Sequence, residues 1–187
     1  MARWSFPTKY NGITYRSKTE AKWARFWDLL KVKCDYEDQG FLTDGSAYLP
    51  DFAVYAARGT IWAEVKPEWL TDEEGIAKFR KFAAQRPQPS RAVLLIGPPR
   101  AEQTYLVIGG DDTQDDPLKG AWEDDTQEWR PCGDGYHFDL CSPGLFRARF
   151  VEDGCPDNFG RDGEERVKKA AEDARGYRFD GTDPKAA

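Results

Sequence analysis

Apolar and polar residues alternate most sharply over residues 49–66, LPDFAVYAARGTIWAEVK, where two strand-like runs meet at AARG. With the turn centred on Ala57 and Arg58, Asp51 faces Glu64. Facing residues of an antiparallel pair share a side, and side chains alternate along each strand. One side then collects Pro50, Phe52, Val54, Ile61, Ala63 and Val65; the other collects Asp51, Ala53, Tyr55, Thr60, Trp62, Glu64 and Lys66. Alternation alone joins Glu64 to Lys66, whereas Asp51 joins them only in this turn register. Pro67 ends the second run, because proline cannot extend a ladder.

A helical period governs residues 17–33, where Ala21, Trp23, Ala24, Phe26, Trp27 and Leu30 form a wide apolar face. Ser17 with Glu20 three residues on has the spacing of a capping box, and Asn11-Gly12 before it signals a tight turn. CDYEDQGF holds a short strand and LTDGSA supplies turn chemistry. Thr71 and Glu74 form a second capping box, opening a helix that runs to about Arg86. RAVLLIG reads as a strand covered on both faces, and TYLVIGG as a further strand. The order predicted for residues 1–110 is an α/β core of helix, three-stranded meander, helix, then one or two strands. Past Gly110 the pattern weakens to two short strands, in DGYHFDLC and LFRARFV, a helix over 163–175 and a tail. Residues 111–187 are therefore read as an acidic loop and a C-terminal appendage.

The 187 residues suffice for one domain with a core, and 40% apolar against 32% charged residues fits a globular chain. The net charge of −6 is unevenly spread. Residues 1–33 carry eight Lys/Arg against two Asp/Glu, whereas residues 111–187 carry eleven against twenty. A basic first segment suits a phosphate-facing surface, with Lys18, Lys22 and Arg25 as backbone contacts. Solvated charge is the plain alternative. The eight acids of 111–128 read as a solvated loop or as a mimic of DNA charge. No secretory signal or membrane-spanning run is seen, so no membrane role and a cytoplasmic location are expected.

Four cysteines are too sparse for a disulfide scaffold. Cys132, His137, Cys141 and Cys155 are zinc-ligand types, but without a C-x₂-C knuckle their spacing argues against a zinc site. The single histidine, His137, would have to serve any Ser-His-Asp arrangement alone.

The hairpin carries the strongest chemical signal. Two carboxylates directly across a strand pair repel unless a positive charge lies between them. Hard oxygen donors suit Mg²⁺ or Mn²⁺, and Lys66 beside them could stabilise phosphate charge or position an attacking water. The alternative is a half-exposed hairpin whose outer face is simply polar.

Pro50-Asp51 and, thirteen residues on from the aspartate, Glu64-Val65-Lys66 resemble the signature of the PD-(D/E)xK nuclease superfamily, in the element order that family has. GITYRSKTEAKWARFWDLL, YEDQGF, YLPDFAVY and WAEVKP are also similar to small phage and mobile-element nucleases, in the style of the transposon endonuclease TnsA and of junction resolvases. The resemblance covers about residues 10–110. It implies a restriction-endonuclease-like core and a Mg²⁺-dependent endonuclease acting on DNA in a host cytoplasm. Asp51, Glu64 and the main-chain carbonyl of Val65 would be metal ligands, Lys66 the catalytic lysine, and Glu20 the further glutamate many members take from the first helix. Capping is the competing task for Glu20, and Glu37 and Gln39 could approach the site without an assigned role. Cutting both strands of a duplex often takes two sites, which admits a homodimer. The second functional reading is a nuclease-fold protein that engages a host defence or replication protein through its acidic C-terminal half.

Overall fold

The computed structural model describes residues 6–56, 59–67, 73–87, 90–100, 106–108, 136–140, 148–152 and 161–179. Strands β1 (Thr8–Tyr10) and β2 (Ile13–Tyr15) form a hairpin closed by Asn11 and Gly12, both at positive φ, 47° and 78°, as its Asn-Gly pair predicts. Helix α1 (Lys18–Leu30) starts at Ser17, whose hydroxyl accepts the Glu20 N–H, and stops at Lys31 in the left-handed region.

Strand β3 (Cys34–Tyr36) is followed by a hairpin of β4 (Phe41–Thr43) and β5 (Ser46–Tyr48) around Asp44-Gly45. The sequence predicts only turn chemistry over residues 42–47. Strands β6 (Phe52–Ala56) and β7 (Gly59–Lys66) form the predicted hairpin, and β7 ends immediately before Pro67. Then come α2 (Glu73–Gln85), β8 (Ser90–Ile96), β9 (Leu106–Ile108), the antiparallel pair β10 (Tyr136–Leu140) and β11 (Ala148–Glu152), and α3 (Arg161–Gly176).

One five-stranded mixed sheet, in the order β3-β6-β7-β8-β9, carries the fold. The β3-β6-β7 meander is antiparallel, β8 returns parallel to β7 after α2, and β9 is antiparallel to β8. Strand alternation gives the sheet two apolar faces. Phe52, Val54, Ile61, Ala63, Val65, Val93 and Leu95 share a core with Trp23, Phe26, Trp27 and Leu30 of α1. Ala53, Trp62, Ala92 and Leu94 lie with Phe79, Phe82 and Ala83 of α2 and with Tyr48. Strand β8 is thus covered on both faces, as its continuous apolar run predicts.

Val167, Ala170, Ala171 and Ala174 of α3 belong to the same core as α1. Tyr177 and Phe179 beyond it meet the Tyr10 ring edge-on, each with centroids 6.0 Å away. The expected boundary at residue 110 leaves this helix outside the core, whereas it lies within it. The acids of 111–128, the thiols of Cys132, Cys141 and Cys155, the Thr71 cap and the last eight residues lie outside the described residues.

Candidate active site

The functional side chains gather where β6 begins and β7 ends. Pairing of Phe52 with Ala63 and Ala53 with Trp62, continued by one step, puts Asp51 opposite Glu64 in the predicted register. Neither acid is solvated: Asp51 is 3% exposed and Glu64 9%. A polar outer face washed by water is therefore excluded for this pair. Burying two carboxylates costs several kcal/mol unless each finds partners.

Each acid is held by donors. The Val65 N–H donates to Asp51 Oδ2 at 2.7 Å, and the Arg16 guanidinium sits on Oδ1. The carbonyl of Asp51 accepts the Glu37 N–H at 3.0 Å, one step beyond the Tyr36–Phe52 pair of the meander. Glu64 takes the Lys66 ammonium on Oε1 at 3.0 Å and the Tyr48 hydroxyl on Oε2 at 2.7 Å. Burial first, and then the Glu64 charge, pushes the Tyr48 phenol far up, so it remains a donor at ordinary pH.

The end of β7 is pinned from two sides. The Lys66 carbonyl accepts the Gly97 N–H at 2.8 Å, and the Gly97 carbonyl accepts the indole N–H of Trp23 at 2.9 Å. Gly97 has φ 69°, a conformation that suits glycine. Helix α1 is thereby tied to the strand end that carries Lys66.

Glu20, 7% exposed, accepts the Ser17 hydroxyl on Oε1 at 2.6 Å. On Oε2 it accepts the Tyr36 hydroxyl at 2.6 Å and the Arg16 N–H at 3.1 Å. The return bond of the predicted capping box thus reaches Arg16 rather than the cap residue itself. Glu20 also acts at a distance. Burial first, then the charges of Glu64 and Glu20, raise the Asp51 carboxyl well above the usual carboxylate range, against the pull of the Val65 N–H and Arg16. The site is thus short of positive charge around Asp51.

Sequence reasoning missed Arg16, along with the tyrosine donors Tyr36 and Tyr48. Arg16 stands between β2 and α1 and bridges Asp51 to Glu37, with Nε 2.6 Å from Glu37 Oε1. Its only local signal is that it precedes the cap residue Ser17. Glu37 reaches the site through this arginine, whereas Gln39 lies exposed. Of the three basic residues expected on a phosphate-facing surface, Lys18 is exposed. Lys22 donates to the Arg175 carbonyl at 2.6 Å, and Arg25 is paired with Asp173 and lies 3.8 Å from the Tyr177 ring centroid. Helix α3 and the segment after it therefore engage both.

The donors of the site are oxygens, the kind that hard divalent ions take. Among the described residues no three His, Cys, Asp or Glu side chains converge on one point. Two carboxylates with a main-chain carbonyl and water remain an ordinary way to hold Mg²⁺, which keeps several waters and uses one or two carboxylates. Burial, then the charges of Asp35 and Asp28, pushes the Cys34 thiol up to about 12, so it is no thiolate nucleophile at neutral pH. Among the described residues no helix is long and apolar enough to cross a membrane.

Fold and site together define a mixed α/β protein with a buried carboxylate pair beside a lysine at one end of its central sheet. No protein-family model, curated protein or solved structure matches the chain.

Proposed function

We propose that the chain is a metal-dependent DNA endonuclease of the PD-(D/E)xK type, with a restriction-endonuclease-like core, encoded by a phage or mobile element. One observation carries the reading: Asp51 and Glu64 are buried at facing positions, and the Lys66 ammonium lies 3.0 Å from Glu64. Two acids buried side by side cost stability, a cost that a bound divalent ion would offset. The order α1, β3-β6-β7 meander, α2 and parallel β8 supports the same reading.

Asp51, Glu64 and the Val65 carbonyl would hold Mg²⁺ or Mn²⁺, which when bound lowers the pKa of a ligated water and polarises a phosphoryl oxygen. Lys66, 3.0 Å from Glu64, stands where it would stabilise the negative charge that develops on the phosphate. Tyr48 fixes the rotamer of Glu64, and Glu20 orders the turn that carries Arg16. Exposed Lys18 contributes a backbone contact to DNA, a role for which Lys22 and Arg25 must first leave their present partners.

The test is incubation with linear, nicked, single-stranded and branched DNA, and with RNA, in Mg²⁺ or Mn²⁺. Cleavage of DNA that chelator abolishes, and that Asp51→Asn or Lys66→Met lowers by about 10²-fold or more, is expected. Undiminished cleavage by both variants ends the assignment.

A further inference from the structure

Asp51 has two carboxylate oxygens, and both are committed. Oδ2 accepts the Val65 N–H from within the sheet, and Oδ1 carries the Arg16 guanidinium. A divalent ion ligated by Asp51 through Oδ1 competes with that guanidinium for the same atom. The two partners differ in freedom to move: the Asp51 side chain is 4% exposed and the Arg16 side chain 58%. The arginine is the one that can swing.

Its range is short. The Arg16 N–H is held by Glu20 Oε2 at 3.1 Å and by the Tyr36 hydroxyl at 3.0 Å, and its Nε by Glu37 at 2.6 Å. A guanidinium released from Asp51 stays within one side-chain length of the site, where its planar fork suits a phosphodiester.

We infer that Arg16 is an exchangeable cation, holding Asp51 until a divalent ion takes that oxygen and then passing to the phosphate of the bound nucleic acid. This deepens the endonuclease reading and rests on it. It also makes ion and nucleic acid cooperative, because the phosphate stabilises the arginine position that leaves Asp51 open. By linkage each then raises the affinity for the other by the same factor.

The Val65 amide, bonded to Asp51, reports on ion binding in the protein without DNA, so Mg²⁺ is titrated while its NMR resonance is followed. Arg16→Gln is expected to bind Mg²⁺ roughly tenfold tighter than the unaltered protein, and Arg16→Lys, which keeps a cation there, close to it. A merely structural arginine would give weaker binding on removal. In the unaltered protein, which needs no variant to fold, the Arg16 Nε–H resonance should move with the same midpoint as the Val65 amide. An Arg16 resonance that stays still through saturation overturns the exchange, as does equal or weaker affinity in Arg16→Gln. If Asp51→Asn still abolishes binding in that case, the metal site itself survives. A Val65 amide that responds in none of the proteins overturns the metal reading and the exchange together.

Discussion

Removing one hydroxyl from Tyr48 isolates the support of Glu64 from everything else at the site. In Tyr48→Phe the ring can keep its stacking on Phe82, whose centroid is 4.6 Å away, and Glu64 keeps Lys66 on Oε1. Only the bond of 2.7 Å to Oε2 disappears. Tyr48 is 8% exposed and Glu64 9%, so water cannot readily replace the lost donor. A hydrogen bond to a charged group contributes about 1.5–3 kcal/mol, and the pair sits where the middle of that range applies, about 2 kcal/mol. In a chain of this size each kcal/mol moves the thermal midpoint by about 2–4 °C, so a loss of about 4–8 °C is expected. Urea unfolding followed by tryptophan fluorescence should show a lower midpoint with an unchanged slope. If Glu64 is a metal ligand as proposed, loosening it should also weaken metal affinity by about 10–100-fold, readable as a higher Mg²⁺ requirement for cleavage. An unchanged midpoint together with an unchanged Mg²⁺ requirement would show that the hydroxyl does not hold Glu64.

Three further outcomes follow from the same geometry. The folded-state pKa of Asp51 lies above its ordinary 3.8, so the folded protein binds more protons than the unfolded one and stability falls as pH rises through that window. Asp51→Asn should therefore stabilise the protein in chelator at pH ~7, with the gain fading as pH falls toward the ordinary value; a loss of stability at neutral pH would contradict this. Trp23→Phe removes the buried indole bond to the Gly97 carbonyl and leaves a small void at a fully buried position. A cost of about 2–3 kcal/mol in chemical denaturation is expected, and under about 0.5 kcal/mol would mean that this link does not hold the end of β7. A fragment of residues 1–110 lacks Val167, Ala170, Ala171 and Ala174 of the α1 core and should show no cooperative thermal transition; a sharp one would return α3 to the status of an appendage.

What was legible in the sequence was local. The β6–β7 register follows from period-two alternation and a short turn, and it places Asp51 opposite Glu64. The face of α1 follows from its period of 3.6, and a helix is expected over 163–175. Where α3 sits does not follow. A stripe of Val167 and three alanines says that a helix packs closely on something, and nothing about which helix. The β4–β5 hairpin escaped because strands of three residues carry too little alternation to stand out.

Charge was the least legible layer, because a count by segment is blind to pairing across the fold. The excess of Lys/Arg in residues 1–33 suits either a phosphate-facing surface or plain solvated charge. Folding brings Arg16 to Asp51 and Glu37, and Arg25 to Asp173, which is 148 residues away in the chain. Lys22 is drawn to the carbonyl end of α3. The field that this segment presents to any polyanion must be counted after these pairings, and it is weaker and more local than the segment total suggests. The cations at the buried acids are then Arg16 on Asp51 and Lys66 on Glu64, rather than any of the lysines on the helix face. On the proposed endonuclease reading, release of the Arg16 guanidinium would add to the phosphate contacts of Lys66 and Lys18, so nucleic-acid affinity would vary with the occupancy of Asp51 as well as with the surrounding surface.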